Sequence, residues 1–454
     1  MQRLNSERIR KTCARTAAVV FFYTASKMAA SANGIYGNGT GAESMAMGGT
    51  DVGWAHSPLE AMGDNPAGLG FLTQGEVDLG GIGASAYGQF TKAGSGGDLN
   101  DTPAGLPEGA LGMPLGKSGL SFGVSAIPDA MLMADWHYPD PDGGLGGATS
   151  YGNQTDKSEI FVLRMAAGIA WQLNPKFSIG LSAGAIYNKN QLITPYVFQD
   201  LNAPDGGFDR AKTLLDLNTS GLGWNGQIGA LYRPMTNLQF GVSWQNKYTV
   251  RTYGSATGNA YAQFEGNNSS PTAATSFHYN AEVDNTFPDE FCFGSSWKFL
   301  PKWRVAADVD WIDWKNAFNT LPVKLSNGND TAVTTALGSS LQDNIPLNWN
   351  SEFVYRVGLE YEVIENLFLR AGYSYGKSPV PDSTLSPLTA AIMENTITAG
   401  IGYRWHDWQA DLAYQYDLPV THHVGTSALL DGEYSNSSTQ VAINWLALTL
   451  SYRF

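Results

Sequence analysis

The chain has 454 residues, 52 of them glycine, with 43% hydrophobic, 12% aromatic and 15% charged residues and a formal net charge of −14. This acidity argues against nucleic acid as a partner, and no segment beyond the N-terminal region approaches the ~20 unbroken apolar residues of a spanning helix. If the chain crosses a membrane it does so with strands, and plentiful glycine and aromatics with sparse charge suit a twisted barrel with aromatic girdles.

Residues 1–32 read as an export signal: basic residues Arg3 to Arg15, an apolar run over Ala17–Tyr23, then the small residues Ala30-Ser31-Ala32 before a cut that leaves Asn33 first. Of the two cysteines, Cys13 leaves with this signal and Cys292 remains alone, so no intramolecular disulfide holds the mature fold. Residues 33–72 are rich in Gly, Ala and Met and lack alternation. They read as a plug, because a barrel of this size has a lumen too wide for side chains alone to fill.

Residues 73–454 read as the barrel, an all-β transmembrane antiparallel fold of about fourteen strands. The expected spans are 76–90, 106–115, 119–136, 158–173, 176–192, 220–233 and 236–252, then 276–299, 302–318, 349–363, 366–378, 392–405, 408–424 and 438–454. Short links such as Asn174-Pro175 and His406-Asp407 alternate with the long segments 137–157, 193–219, 253–275 and 319–348. The short links are expected in the periplasm and the long ones outside. Period-two facing predicts Val305, Val309, Leu369, Tyr373, Leu412 and Tyr414 toward lipid, with Arg304, Asp308, Asp310, Arg356, Glu360, Arg370 and Asp411 lining the lumen. The last strand runs Asn444 to Phe454, with Leu446, Leu448, Leu450, Tyr452 and Phe454 on the lipid side.

Within the plug, Gly48-Gly49-Thr50-Asp51-Val52-Gly53-Trp54-Ala55 and Asp64-Asn65-Pro66-Ala67-Gly68-Leu69 resemble the N-terminal hatch of the FadL/TodX family of outer-membrane channels. Further similar stretches follow in order: Gly223 to Tyr232, Phe287-Pro288-Asp289-Glu290, Asp310 to Trp314, Arg370 to Tyr373, and Ser378 to Pro381. The resemblance implies a bacterial outer-membrane channel for passive uptake of long-chain fatty acids or other hydrophobic small molecules. It implies a hatch in the lumen, a kink in the third strand that opens the wall sideways, and a monomer inserted by the barrel-assembly machinery among outer-membrane lipid and lipopolysaccharide.

Ile127-Pro128-Asp129 interrupts the third strand, and proline removes a ladder donor there, so the break is either an ordinary bulge or the lateral opening. Asn33, Asn65, Pro66, Ala67 and Gly68 are the gating candidates on the hatch, Gly68 also reading as a plain turn. Leu192, Tyr196, Phe198, Leu201, Phe208, Leu214 and Leu215 put apolar side chains into an expected outer loop, either to capture cargo or to pack the loop down. A cargo of about sixteen carbons gains on the order of 10 kcal/mol from burying its methylenes, so polar contacts need only orient a head group. Lys189 is the head-group candidate; Arg164, Arg304, Arg356 and Arg370 read as lumen ion pairs with Asp308, Asp310, Glu360 and Asp411.

No cofactor or metal is expected. A general diffusion porin is the closest alternative, with an open aqueous lumen in place of a plug. An outer-membrane lipid hydrolase is suggested only by Gly180-Leu181-Ser182-Ala183-Gly184, which lies mid-strand and not in the strand–turn–helix setting of a nucleophile elbow.

Overall fold

The computed structural model describes residues 34–100, 103–140, 152–199, 208–264 and 275–454. The expected export signal and Asn33 lie outside them. The first strands are β1 (Glu76–Lys92), β2 (Ser95–Asp98), β3 (Ala104–Pro114), β4 (Leu120–Pro139), β5 (Asn153–Asn174), β6 (Phe177–Gln199) and β7 (Phe208–Met235). Next come β8 (Leu238–Gln245), β9 (Tyr248–Phe264), β10 (Thr275–Phe287), β11 (Glu290–Leu300), β12 (Trp303–Ile312), β13 (Thr320–Ser326) and β14 (Leu341–Pro346). The wall ends with β15 (Glu352–Ile364), β16 (Leu367–Gly376), β17 (Asn395–Trp405), β18 (Trp408–Val424) and β19 (Ser437–Arg453). Every pairing is antiparallel, and β1 pairs with β19 from Glu76↔Arg453 to Thr91↔Ser438, closing the barrel.

The wall has fourteen staves: β2, β13 and β14 are outer additions, while β8 with β9 and β10 with β11 are single staves broken in the middle. These two breaks correct the unbroken spans expected at 236–252 and 276–299. Pro288 cannot continue the ladder, and Asp289 joins the breaks: its Oδ1 accepts from Trp244 Nε1 at 3.1 Å and from the Lys247 N–H at 2.9 Å. Residues 313–318, expected as strand, instead hold the short helix Trp314–Ala317.

Facing follows the period-two rule. Leu79, Ile228, Val309, Leu369, Leu412 and Leu448 are exposed on the outer surface, while Arg304, Asp308, Asp310, Arg356, Arg370 and Asp411 are buried within. At the short-turn end Trp171, Tyr232, Tyr403 and Trp408 form one aromatic girdle, and Tyr87, Trp224, Tyr253 and Tyr355 stand toward the other end. Phe454 closes the chain against Gly75, each backbone N–H donating to the other's carbonyl at 2.8 and 3.1 Å.

Within the described residues, the segments expected as long loops largely extend the wall. β6 and β7 stay paired from Leu192↔Leu217 out to Gln199↔Arg210, and 319–348 contains the β13–β14 hairpin and a helix at Thr331–Leu337. Apolar alternation in these stretches buries one face in a cluster of Leu192, Leu215, Leu217, Phe277, Tyr279 and Val323.

Candidate functional site

Residues 34–72 lie inside the barrel as two short helices, α1 (Gly41–Ala46) and α2 (Pro58–Gly63), followed by a 3₁₀ turn over Pro66–Phe71. Ser57 and Glu60 cap α2 reciprocally with Pro58 at its first position, and the Asn65 side chain caps the 3₁₀ turn. Such short helices are not stable alone, so their conformation rests on the wall around them.

Inward-facing glycines make that contact close. A Cβ at Gly241 would sit 1.9 Å from the Val52 carbonyl oxygen, one at Gly229 would sit 2.0 Å from Asn65 Oδ1, and one at Gly372 would sit 2.2 Å from the Gly48 nitrogen. Only glycine lets the hatch backbone approach these staves. Asn65 Nδ2 donates to Val52 O at 2.9 Å and to Ala230 O at 3.3 Å, and the Ser178 hydroxyl donates to Ala67 O at 2.8 Å. Pro66 packs on Gly180, and Gly68 lies against Ala55. Asn65 to Gly68 therefore wedge the hatch against β6–β8, directly after Gly63 and Asp64, which line the cavity beside Asp129.

Electrostatics tie down the other side. Glu43 on α1 accepts from Arg304 Nη2 and Arg370 Nη2, both at 2.8 Å, and from Gln409 Nε2 at 3.2 Å. Glu360 bridges the same two arginines, and Asp411 takes Arg370 Nη1 at 2.5 Å. Burial opposes the Glu43 charge, but Arg370, His56 and Arg304 outweigh it and hold the carboxyl well below its ordinary value. His56 lies 2.9 Å from Glu60; burial again works against the charge, yet Glu60 and Glu43 push the imidazole up to about 9.

The expected arginine pairs form: Arg304 with Glu360, Arg356 with Asp310 at 3.0 Å, and Arg370 with Asp411. Arg164 pairs instead with Asp129 at 3.0 Å, and Asp308 makes no such pair among the described residues: its Oδ2 accepts the N–H groups of Asp51 and Val52 at 2.9 and 3.0 Å. Sequence reasoning missed Glu43, whose signal is its place as the lone charge between Asn33 and Thr50.

The third stave, β4, carries the break. Its ladder to β3 runs from Pro114↔Ser121 to Gly109↔Ala126 and stops, although β4 continues to Pro139. Against β5 the register shifts between Pro128 and Ala130, leaving Asp129 bulged. Pro107 on β3 and Pro128 on β4 stand on the two edges of the resulting gap, each lacking an N–H. Into it comes the start of the hatch: Tyr36 bridges to Ala130, and the Met131 N–H donates to Ile35 O at 2.8 Å. Asp129 turns inward, held by Arg164 and by the Tyr248 hydroxyl at 2.9 Å. A cavity of about 60 Å³ remains beside it, lined by Tyr36, Asp64, Pro128, Arg164, Glu290 and Cys292 among others.

Among the capture candidates, Leu192 and Leu215 are buried in the outer apolar cluster, and Tyr196, half-buried, donates its hydroxyl to Asp343. Leu214 is half-buried on the alternate face of β7. Phe198 and Phe208 belong to β6 and β7, but their side chains, like Leu201 as a whole, lie outside the described residues. Lys189, the head-group candidate, pairs with Phe161 in the same phase as exposed Leu181 and Met165, so alternation turns it to the outer surface, while Asn188 and Asn190 face inward. Two groups, Glu43–His56–Glu60 and Glu290–Cys292–Asp310, bring three potential ligand atoms together. In each an arginine already lies on a carboxylate and opposes a cation.

A plugged fourteen-stave barrel, interrupted beside its plug, is the architecture to which the comparisons answer. Residues 23–454 match the family described as outer membrane protein transport protein (OMPP1/FadL/TodX). The chain belongs to that family. It is thus an outer-membrane β-barrel protein. The toluene transporter TodX of Pseudomonas putida is 20% identical, with a TM-score of 0.72 over 93% of this chain and 100% of its own. A FadL homologue from Pseudomonas aeruginosa is 16% identical at a TM-score of 0.72, again over 93% and 100%. The toluene transporter TbuX of Ralstonia pickettii is 19% identical at 0.68, over 92% and 99%. At these identities the structures share the fold of this chain. No curated protein matches it by sequence.

Proposed function

We propose that this chain is a passive channel that admits hydrophobic small molecules, fatty acids or aromatic hydrocarbons, and releases them sideways through the gap between β3 and β4. The observation that carries this reading is the end of the β3–β4 ladder at Ala126 and its occupation by Ile35 and Tyr36 of the hatch. An aqueous pore needs neither a filled lumen nor a break in the wall at hatch level. The cavity beside Asp129 falls well short of the ~150 Å³ engineered cavity that admits benzene, so cargo reaches the gap only after Ile35–Tyr36 moves. The buried apolar side chains above, including Leu132, Phe287 and Trp349, supply the greasy route from the outer hairpins. The likeness to two toluene transporters supports an aromatic cargo beside a fatty acid. Residues 33–72 act as the gate in this reading, the protein works as a monomer inserted by the barrel-assembly machinery, and lipopolysaccharide surrounds its outer end.

Deleting Asp129 tests the exit. Without the bulged residue β4 runs in continuous register along β5 and can extend its ladder to β3. Uptake of labelled toluene or oleate by cells that depend on this channel should fall severalfold, with surface abundance unchanged. Undiminished uptake refutes the lateral route.

A further inference from the structure

Beneath the hatch, at the short-turn end of the lumen, lies a cavity of about 550 Å³, within the size range of small-molecule sites. Its lining carries hydrogen-bond donors without acceptors. Arg304 gives Nε and Nη2 to Glu360 and Glu43, but its Nη1, in a residue only 3% exposed, has no partner among the described residues. The Arg304 guanidinium lies 4.3 Å from the Trp54 ring centroid, and Trp54 Nε1 is likewise buried without an acceptor. Arg404 donates to the neutral Gln409 Oε1 at 3.1 and 2.8 Å and stands 5.7 Å from the Phe368 ring centroid. The other arginines of the lining, Arg370 and Arg453, already hold carboxylates. The unmet need is for one acceptor of negative charge, beside the aromatic surfaces of Phe368 and Phe71.

We propose that this vestibule is a binding site for a small aromatic carboxylate, its oxygens accepting from Arg404 and, once a small turn of the two side chains uncovers them, from Trp54 Nε1 and Arg304 Nη1, with its ring lying against Phe368 and Phe71. The site is separate from the route of neutral cargo through the wall and does not depend on it. Phosphate is the weaker fit, since it leaves the aromatic faces unused.

The test is ¹⁹F NMR of 4-fluorobenzoate with the full detergent-solubilised chain, with neutral 4-fluorotoluene in parallel and inorganic phosphate as competitor. Saturable 4-fluorobenzoate binding is expected, weakened about tenfold or more by Arg404→Gln and by Trp54→Phe, the latter keeping an aromatic face but losing the donor. Phosphate should compete poorly, and 4-fluorotoluene binding should be the same in all three proteins. Heat-dependent gel mobility confirms that each variant is folded. Absent 4-fluorobenzoate binding, binding indifferent to Arg404→Gln, or displacement by phosphate as readily as by benzoate overturns the assignment.

Discussion

Replacing Glu43 with glutamine removes the charge on which Arg304 and Arg370 converge while keeping the side chain's volume. Glu43 accepts two charge-assisted bonds at 2.8 Å in a setting where both arginines are about 97% shielded on the Arg304 side and 98% on the Arg370 side, their side chains being 3% and 2% exposed. The amide can still accept from one arginine, but it presents N–H to the other. Breaking a buried ion pair from one side costs about 3–5 kcal/mol, because the partner charge stays buried. Glu360 and Asp411 remain on the arginines, so the lower end of that range applies to the wall and the full cost falls on the seated hatch. If this free energy holds the hatch in place, the unseated fraction rises by about a hundred- to a few thousandfold. Single-channel recording in planar bilayers reads it directly: wild type stays closed to ions, and Glu43→Gln shows frequent openings. Protease cleavage within residues 34–72 should rise in parallel while the barrel keeps its heat-dependent gel mobility. A variant as closed and as resistant as wild type refutes the view that Glu43 anchors the hatch.

Two further outcomes follow from the same geometry. Because the His56 pKa is raised from its ordinary 6.5 to about 9, its contribution to hatch stability is fully present below pH 6.5 and is lost as pH rises through about 9. Openings should therefore increase across that window, and His56→Ala should flatten the profile; an equal slope in both proteins shows that another group titrates. Gly241→Ala places a methyl where the Val52 carbonyl now lies, 1.9 Å away, so the hatch must shift off β8. A loss of about 1–3 kcal/mol in hatch seating is expected, visible as faster proteolysis of residues 34–72 with the barrel intact, and an unchanged digestion rate contradicts it.

Much of the barrel is legible locally. Alternation is a property of adjacent residues, so Arg304, Asp308 and Asp310 could be assigned to the lumen and Val305 and Val309 to lipid without knowing any partner strand. Pro128 announces its own break, since a missing N–H needs no context. The breaks at Asn246-Lys247 and Pro288-Asp289 were not legible in the same way: they depend on Asp289 reaching the backbone of a stave 42 residues earlier. Gly, Asn and Ser content marks the outer segments as loops, yet pairing and a shared apolar cluster override composition there.

The candidate site divides along the same line. By itself the sequence determined that residues 33–72 were no strand, that the third strand was interrupted, and which charges faced inward, because each depends on side-chain chemistry or a two-residue period. Tertiary structure alone decided that Glu43 meets Arg304 and Arg370, 261 and 327 residues away, and that Ile35 and Tyr36 fill the gap while Asn65 and Pro66 seat against β6 and β7. It also decided that Lys189 turns outward, since its direction follows from the register of β5 with β6. These contacts arise only when the barrel closes around the plug, and closure is a property of all fourteen staves together.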